Sequence, residues 1–175
     1  MAQALYLGLD IGTQGVKGVV IDADARPCVI SRAGRPLDLI GDLPPGAAEQ
    51  NPDEWWNAVV EVVRELTSSD TVEAAAIVGV GISGQQHGSV FVDDDDCVIR
   101  PAKLWCDTST ADEARELTET IGRAVPVGFT ASKVTWLARN EPDNWQRTDG
   151  VLLPHDFINL RLTGERTMEA GDASG

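Results

Sequence analysis

The amino-acid sequence predicts an α/β domain built on a mixed sheet, and three observations carry that prediction. Three short apolar runs open the chain with connections too short for helices, an amphipathic helix follows, and a nearly unbroken apolar strand comes next. The opening runs are Leu5 to Leu9, Val16 to Ile21 and Cys28 to Ser31, each reading as a strand. Only six residues lie between Asp10 and Lys17, and Asp22-Ala23-Asp24-Ala25 joins the next pair. Neighbouring strands are therefore expected to pair as antiparallel hairpins, giving a three-stranded meander.

After the loop Leu43-Pro44-Pro45-Gly46, Asn51-Pro52-Asp53-Glu54 offers an N-cap, a proline at the first helical position and a carboxylate at N3. The helix places Trp55, Val59, Val62, Val63 and Leu66 on one face, which is expected to lie on the sheet. Ala76 to Ile82 reads as a central strand covered on both sides. Ser89 to Val92 and Cys97 to Ile99 flank Asp93 to Asp96, a pattern that predicts a hairpin with a solvated acidic tip. Calcium-loop spacing is missing, so this run is assigned no chemistry. Helices are expected at Ala111 to Ile121, Ala131 to Arg139 and His155 to Leu162, the last stopped by Gly164.

At 175 residues, the chain has length enough to bury roughly 70% of its unfolded surface. Against 14 Lys and Arg stand 28 Asp and Glu, a formal charge of −14 that disfavours nucleic acid and anionic membranes as partners. No apolar run approaches the ~18 residues of a membrane span, and Met1-Ala2-Gln3-Ala4 lacks a basic signal opening, so a cytoplasmic location is expected. Cys28, Cys97 and Cys106 have neither metal spacing nor an even count; they read as reduced packing residues. The stretch from Met168 to Gly175 has no strand or cap to tie it down, suggesting one piece of something larger.

Three strings could carry chemistry. In Asp10-Ile-Gly-Thr-Gln-Gly-Val-Lys17, Gly12 and Gly15 would let the backbone approach an anion, with Thr13, Gln14 and Lys17 alongside and Asp10 placed for a hydrated magnesium ion. The plainer alternative is a tight turn that Asp10 caps. In Gly84-Gln85-Gln86-His87-Gly88, side chains that both donate and accept suit a polyol, although a histidine there could simply bond a backbone carbonyl. Trp105 beside Asp107 suits a sugar's face and hydroxyl; alternatively Trp105 packs in the core and Asp107 caps a helix.

Taken in order, Asp10-Ile-Gly-Thr13 with Lys17, Asn51-Pro-Asp-Glu-Trp-Trp56, Gly84 to Gly88, Pro101 to Asp107, Gly128-Phe-Thr-Ala-Ser-Lys133, Asn140-Glu-Pro142, Leu152 to Asp156 and Leu162 to Glu165 resemble the amino-terminal lobe of the FGGY carbohydrate kinases. The resemblance covers essentially the whole chain, residues 1–175, and implies a ribonuclease H-like, actin-like fold. It also implies ATP-dependent phosphorylation of a sugar, with Mg2+ as cofactor. Gly-Gln-x-His-Gly is typical of members that act on D-xylulose, giving D-xylulose 5-phosphate. Gln86 stands where they commonly have methionine, which leaves related ketoses or polyols open.

Carried over, Asp10 would act near magnesium and the transferred phosphate, Gly12, Thr13, Gln14 and Lys17 would serve the nucleotide phosphates, and Gln86, His87 and Asp107 would hold the sugar. A possible homodimer is a further expectation. The family's proton-accepting aspartate lies in a Gly-Gly-Asp-Asn-type string that this sequence does not contain. The second, nucleotide-holding lobe is likewise expected outside it, so the chain alone is expected to be inactive. The alternative is a non-catalytic sugar-binding or interaction module.

Overall fold

A computed structural model describes residues 4–22 and 28–171. In chain order the strands are β1 (Leu5–Gly12), β2 (Gly15–Asp22), β3 (Cys28–Pro36), β4 (Glu49–Gln50), β5 (Ile77–Gly84), β6 (Val90–Val92), β7 (Ala102–Lys103) and β8 (Gly150–Leu152). The helices are α1 (Pro52–Thr67), α2 (Ala111–Ile121), α3 (Thr130–Asn140), α4 (Pro142–Arg147) and α5 (Pro154–Thr163). They form two compact units: one runs to Asp38 and from Asp53 to Gly84, the other takes Leu39–Pro52 and continues from Gln85.

The first unit is a four-stranded sheet in the order β3-β2-β1-β5. β1 to β3 form the expected antiparallel meander, and β5 runs parallel to β1. The short connection between β2 and β3, read from the sequence as a hairpin link, lies outside the described residues. A parallel partner requires a crossover, and α1 supplies it. Period two along β1 buries Leu5, Leu7, Leu9 and Ile11 on one side, where the apolar stripe Trp55, Val59, Val62 and Leu66 is also buried. Gly18 marks the closest approach, because a Cβ there would run into Val62 and Leu66 of α1. Arg35 of β3 pairs with Glu61 and Glu65 of α1 at 2.8 and 2.7 Å, exposed contacts worth little individually.

At β5, where a central strand is expected, one neighbouring strand is present among the described residues. Among the described residues β5 is a sheet edge; Val80 shares the row of Leu7 yet is 54% exposed, and Val78 is 64% exposed. A continuous apolar run records strand preference and does not count neighbours.

In the second unit β4 pairs with β7 and β6 with β8, both antiparallel, over a core including Phe91, Leu104, Leu137, Phe157 and Ile158. The expected hairpin at residues 89–99 is reduced to a Val92–Val98 bridge, since β6 takes its ladder partner from far along the chain. The acidic turn folds on itself: Asp93 Oδ1 accepts from the amides of Asp95 and Cys97 at 3.2 and 2.9 Å, and Arg166 Nε donates to Asp96 at 2.6 Å. α2 and α5 end at Gly122 and Gly164 with φ of 72° and 75°, left-handed caps that suit glycine. All three cysteines are free but exposed, which corrects their reading as packing residues. Among the described residues no helix is long and apolar enough to cross a membrane.

Candidate functional site

In the first unit the alternation that buries Leu9 and Ile11 turns Asp10 to the sheet face opposite α1. Strand register then lines up Lys17 of β2, Asp10 of β1 and Ser83 of β5 in one row. One row below, Gly8 lies opposite Gly81, so in that row only Val19 of β2 brings a side chain to the floor. The result is a shallow hollow of about 550 Å³ whose lining includes Gly8, Asp10, Lys17, Val19, Gly81 and Ser83. Asp10 and Lys17 are exposed in it. A carboxylate, an ammonium and a hydroxyl over a glycine floor offer oxygen donors to a hydrated cation and positive charge to an anion.

The turn between these strands consists of Thr13 and Gln14, with Gly12 opposite Gly15. The carbonyl oxygen of Gln14 accepts from the amide of Leu37 at 3.1 Å, fixing the turn to the end of β3. Gly15 has a φ of 157°, and a Cβ there would collide with the carbonyl oxygen of Arg35. Its glycine is thus required by packing against β3, whereas a Cβ on Gly12 would meet only an ordinary contact at 3.5 Å.

In the second unit, Gln85 to Gly88 form a loop ahead of β6. Gln85 Nε2 donates to Gln50 Oε1 at 3.3 Å, and Gln86 is exposed. His87 has a φ of 58°, a left-handed conformation uncommon for a residue with a Cβ. Its ring stacks on Phe129 with centroids 4.0 Å apart and planes 20° from parallel. Its carbonyl oxygen accepts from Lys133 Nζ at 2.6 Å.

Trp105 and Asp107 exchange the places that composition suggests. Trp105 is 53% exposed, so it is not a core residue, while Asp107 is fully buried. Asp107 Oδ2 accepts from the Ala48 amide at 2.9 Å and from Lys103 Nζ at 3.3 Å. Oδ1 accepts from the Ser109 amide at 2.9 Å and its hydroxyl at 2.6 Å. Burial pushes the Asp107 carboxyl upward, but the bonds from Ser109 and Ala48 and the Lys103 ammonium outweigh it and hold it below the usual range. Asp107, expected from the resemblance to hold the sugar, is thus buried with both oxygens facing protein donors. It is not the cap of α2, whose N-cap is Thr110.

Asp107 ends a row of alternating charges, buried from Asp107 to Arg100 and half-buried at Glu141, that sequence reasoning missed. Arg100 joins Glu141 at 3.1 Å to Glu49 at 2.9 Å, and Lys103 joins Glu49 at 3.0 Å to Asp107. Trp136 lies under both cations, 5.4 Å from Arg100 and 4.2 Å from Lys103. Lys133 was missed as well, although a signal existed: helical spacing puts it on the face of Leu137, and a cation on an apolar helix face calls for a partner. Burial lowers the Lys133 pKa to about 8, more than the charge of Asp107 and Cys106 restores; Lys103 lowers it slightly further.

Residues 5–175 match the N-terminal domain of the FGGY family of carbohydrate kinases. This chain belongs to the FGGY family. Among FGGY relatives, it is 38% identical to the xylulose kinase of Haemophilus influenzae over 98% of its own length and 37% of that protein's. It is also 38% identical to the xylulose kinase of Streptomyces rubiginosus, again over 98% of its own length and 36% of the relative's. The crystal structure described as a xyloylose kinase from Brucella ovis superposes with a TM-score of 0.85 at 42% identity, covering 92% of this chain and 34% of that one. A xylulose kinase from Rhodospirillum rubrum gives the same TM-score at 29% identity, over 94% and 35%. The chain therefore spans about a third of the length of the relatives it matches. Its fold is the actin-like α/β fold of FGGY kinases, as the resemblance implied.

Proposed function

We propose that this chain is the sugar-binding side of a two-lobed kinase that phosphorylates a ketose with ATP, converting D-xylulose to D-xylulose 5-phosphate. The observation that carries this reading is its 38% identity to two proteins named xylulose kinase. In the reaction, a sugar hydroxyl oxygen forms a bond to the γ-phosphorus as the bond to the bridging oxygen of ADP breaks, and the hydroxyl proton passes to a base. Gln86 and His87 hold and orient the sugar, because side chains that donate and accept match adjacent hydroxyls.

Asp10, in its row with Lys17 and Ser83, fits a hydrated magnesium ion: the hollow has oxygen donors and room above a glycine floor. Magnesium, when bound, offsets charge on the phosphate oxygens. Asp10 would hold it through water, with Lys17 and the turn of Gly12, Thr13 and Gln14 on the phosphate side. The expected proton acceptor is absent from this sequence, so the 175-residue chain alone turns over negligibly. Small-molecule partners, a cytoplasmic location and a homodimer complete the proposal.

A second reading, a kinase for a related ketose or polyol, is favoured by Gln86 in place of the usual methionine. Calorimetry on the chain tests both: D-xylulose is expected to bind the wild type in preference to D-ribulose and xylitol, and His87→Ala to abolish the heat. Equal binding by His87→Ala would overturn the sugar assignment; tighter binding of another polyol would favour the second reading.

A further inference from the structure

We propose that Lys133 and Phe129 are positioning residues that hold His87 in its left-handed conformation, so that the loop is preformed before a sugar arrives. The inference rests on the sugar assignment above for its purpose, though the clamp itself stands on geometry alone. A side chain with a Cβ resists a φ of 58°, so the backbone at His87 needs support from outside the loop. Two supports converge on it from one short segment. The Lys133 ammonium, fully buried, donates to the carbonyl oxygen of His87 at 2.6 Å and also to that of Gly128. Phe129, next in sequence, lays its ring against the imidazole.

The segment is brought in tightly. A Cβ on Gly128 would collide with the carbonyl oxygen of Trp105, and one on Gly88 would meet Pro154 at 2.7 Å. Loop and helix entry are thus stapled through one cation, with the imidazole on the phenyl ring fixing the direction of His87. The choice of a lysine is informative. Its bonded acceptors at His87 and Gly128 are neutral carbonyls, and an ammonium buried on such partners is costly where a methionine would fill the same space. What the methionine could not do is gather two carbonyl oxygens from different segments onto one point.

The sequence holds two histidines, so the signal missing from the NMR spectrum of His87→Ala identifies His87. In the wild-type chain without sugar, its ring protons are expected upfield, shielded by Phe129. Lys133→Met is expected to move them toward the value of a free histidine and to weaken D-xylulose binding roughly tenfold, the loss of a bond from a charged donor. Phe129→Leu, which keeps the ammonium, tests the clamp from the ring side and is expected to release the upfield shift with a smaller loss of affinity. It decides the matter should Lys133→Met not fold. Unmoved His87 signals in the folded variants would overturn the clamp. Wild-type chain that shows the shielded ring but binds no D-xylulose would overturn the sugar assignment and leave the clamp standing.

Discussion

The hollow at Asp10 and the loop at His87 are built on opposite terms. Asp10, Lys17 and Ser83 stand exposed on regular strands, aligned by ladder register and served by an apolar layer on the far face of the sheet. His87 sits in a two-residue turn in an unfavoured conformation, within a unit whose polar frame is buried: Glu49, Lys103, Asp107 and Lys133 are all nearly or fully inaccessible. The difference teaches that a strand-borne site inherits its geometry from the backbone, while a loop-borne site needs tertiary polar contacts made for it.

The largest effect is expected from breaking the buried frame. Lys103→Met would leave Glu49 and Asp107 short of their shared cation, at a cost of about 3–5 kcal/mol in urea unfolding. Unchanged stability would mean that the row of charges does not hold the second unit together.

Next comes the response to pH at Lys133. Its folded pKa of about 8 lies below the 10.5 of an ordinary lysine, so between those values the unfolded chain binds more protons and stability must rise with pH. Relative to Lys133→Met, the wild type is expected to gain about 3 kcal/mol across that window, read by thermal or urea unfolding. Parallel curves for the two proteins would show that the ammonium is not desolvated.

In the first unit, Gly15→Ala is expected to cost roughly 2 kcal/mol, because both its φ and the carbonyl of Arg35 oppose a Cβ. The smallest effect belongs to Asp10→Asn, within about 0.5 kcal/mol, as expected of an exposed side chain. Its signature is instead paramagnetic: Mn2+ with ATP should broaden the amides of Gly8, Lys17 and Ser83 in the wild type and not in Asp10→Asn. Broadening confined to Asp93–Asp96 would move the cation site away from the hollow.

How much of this was legible in the sequence follows the same division. The meander, the start of α1 at Pro52, the span of α2 and the Gly164 stop were all readable, because period, caps and turn chemistry are local. The strands β4, β7 and β8, each two or three residues long, were not, since their partners lie far along the chain and nothing local marks them. The burial of Asp107 was not readable for the same reason: its donors include Ala48, 59 residues away, and no spacing encodes that. Lys133 and Phe129 sat inside a string that matched the family, but a string match does not say which atom a side chain reaches.

The central claim, that Gln86 and His87 are the sugar contacts, is tested most directly by titrating D-xylulose into the isotopically labelled chain and following backbone amides and histidine rings by NMR. The account predicts saturable shifts centred on residues 85–88 and the His87 ring, abolished in His87→Ala. Saturable shifts centred elsewhere, with residues 85–88 still, would contradict it.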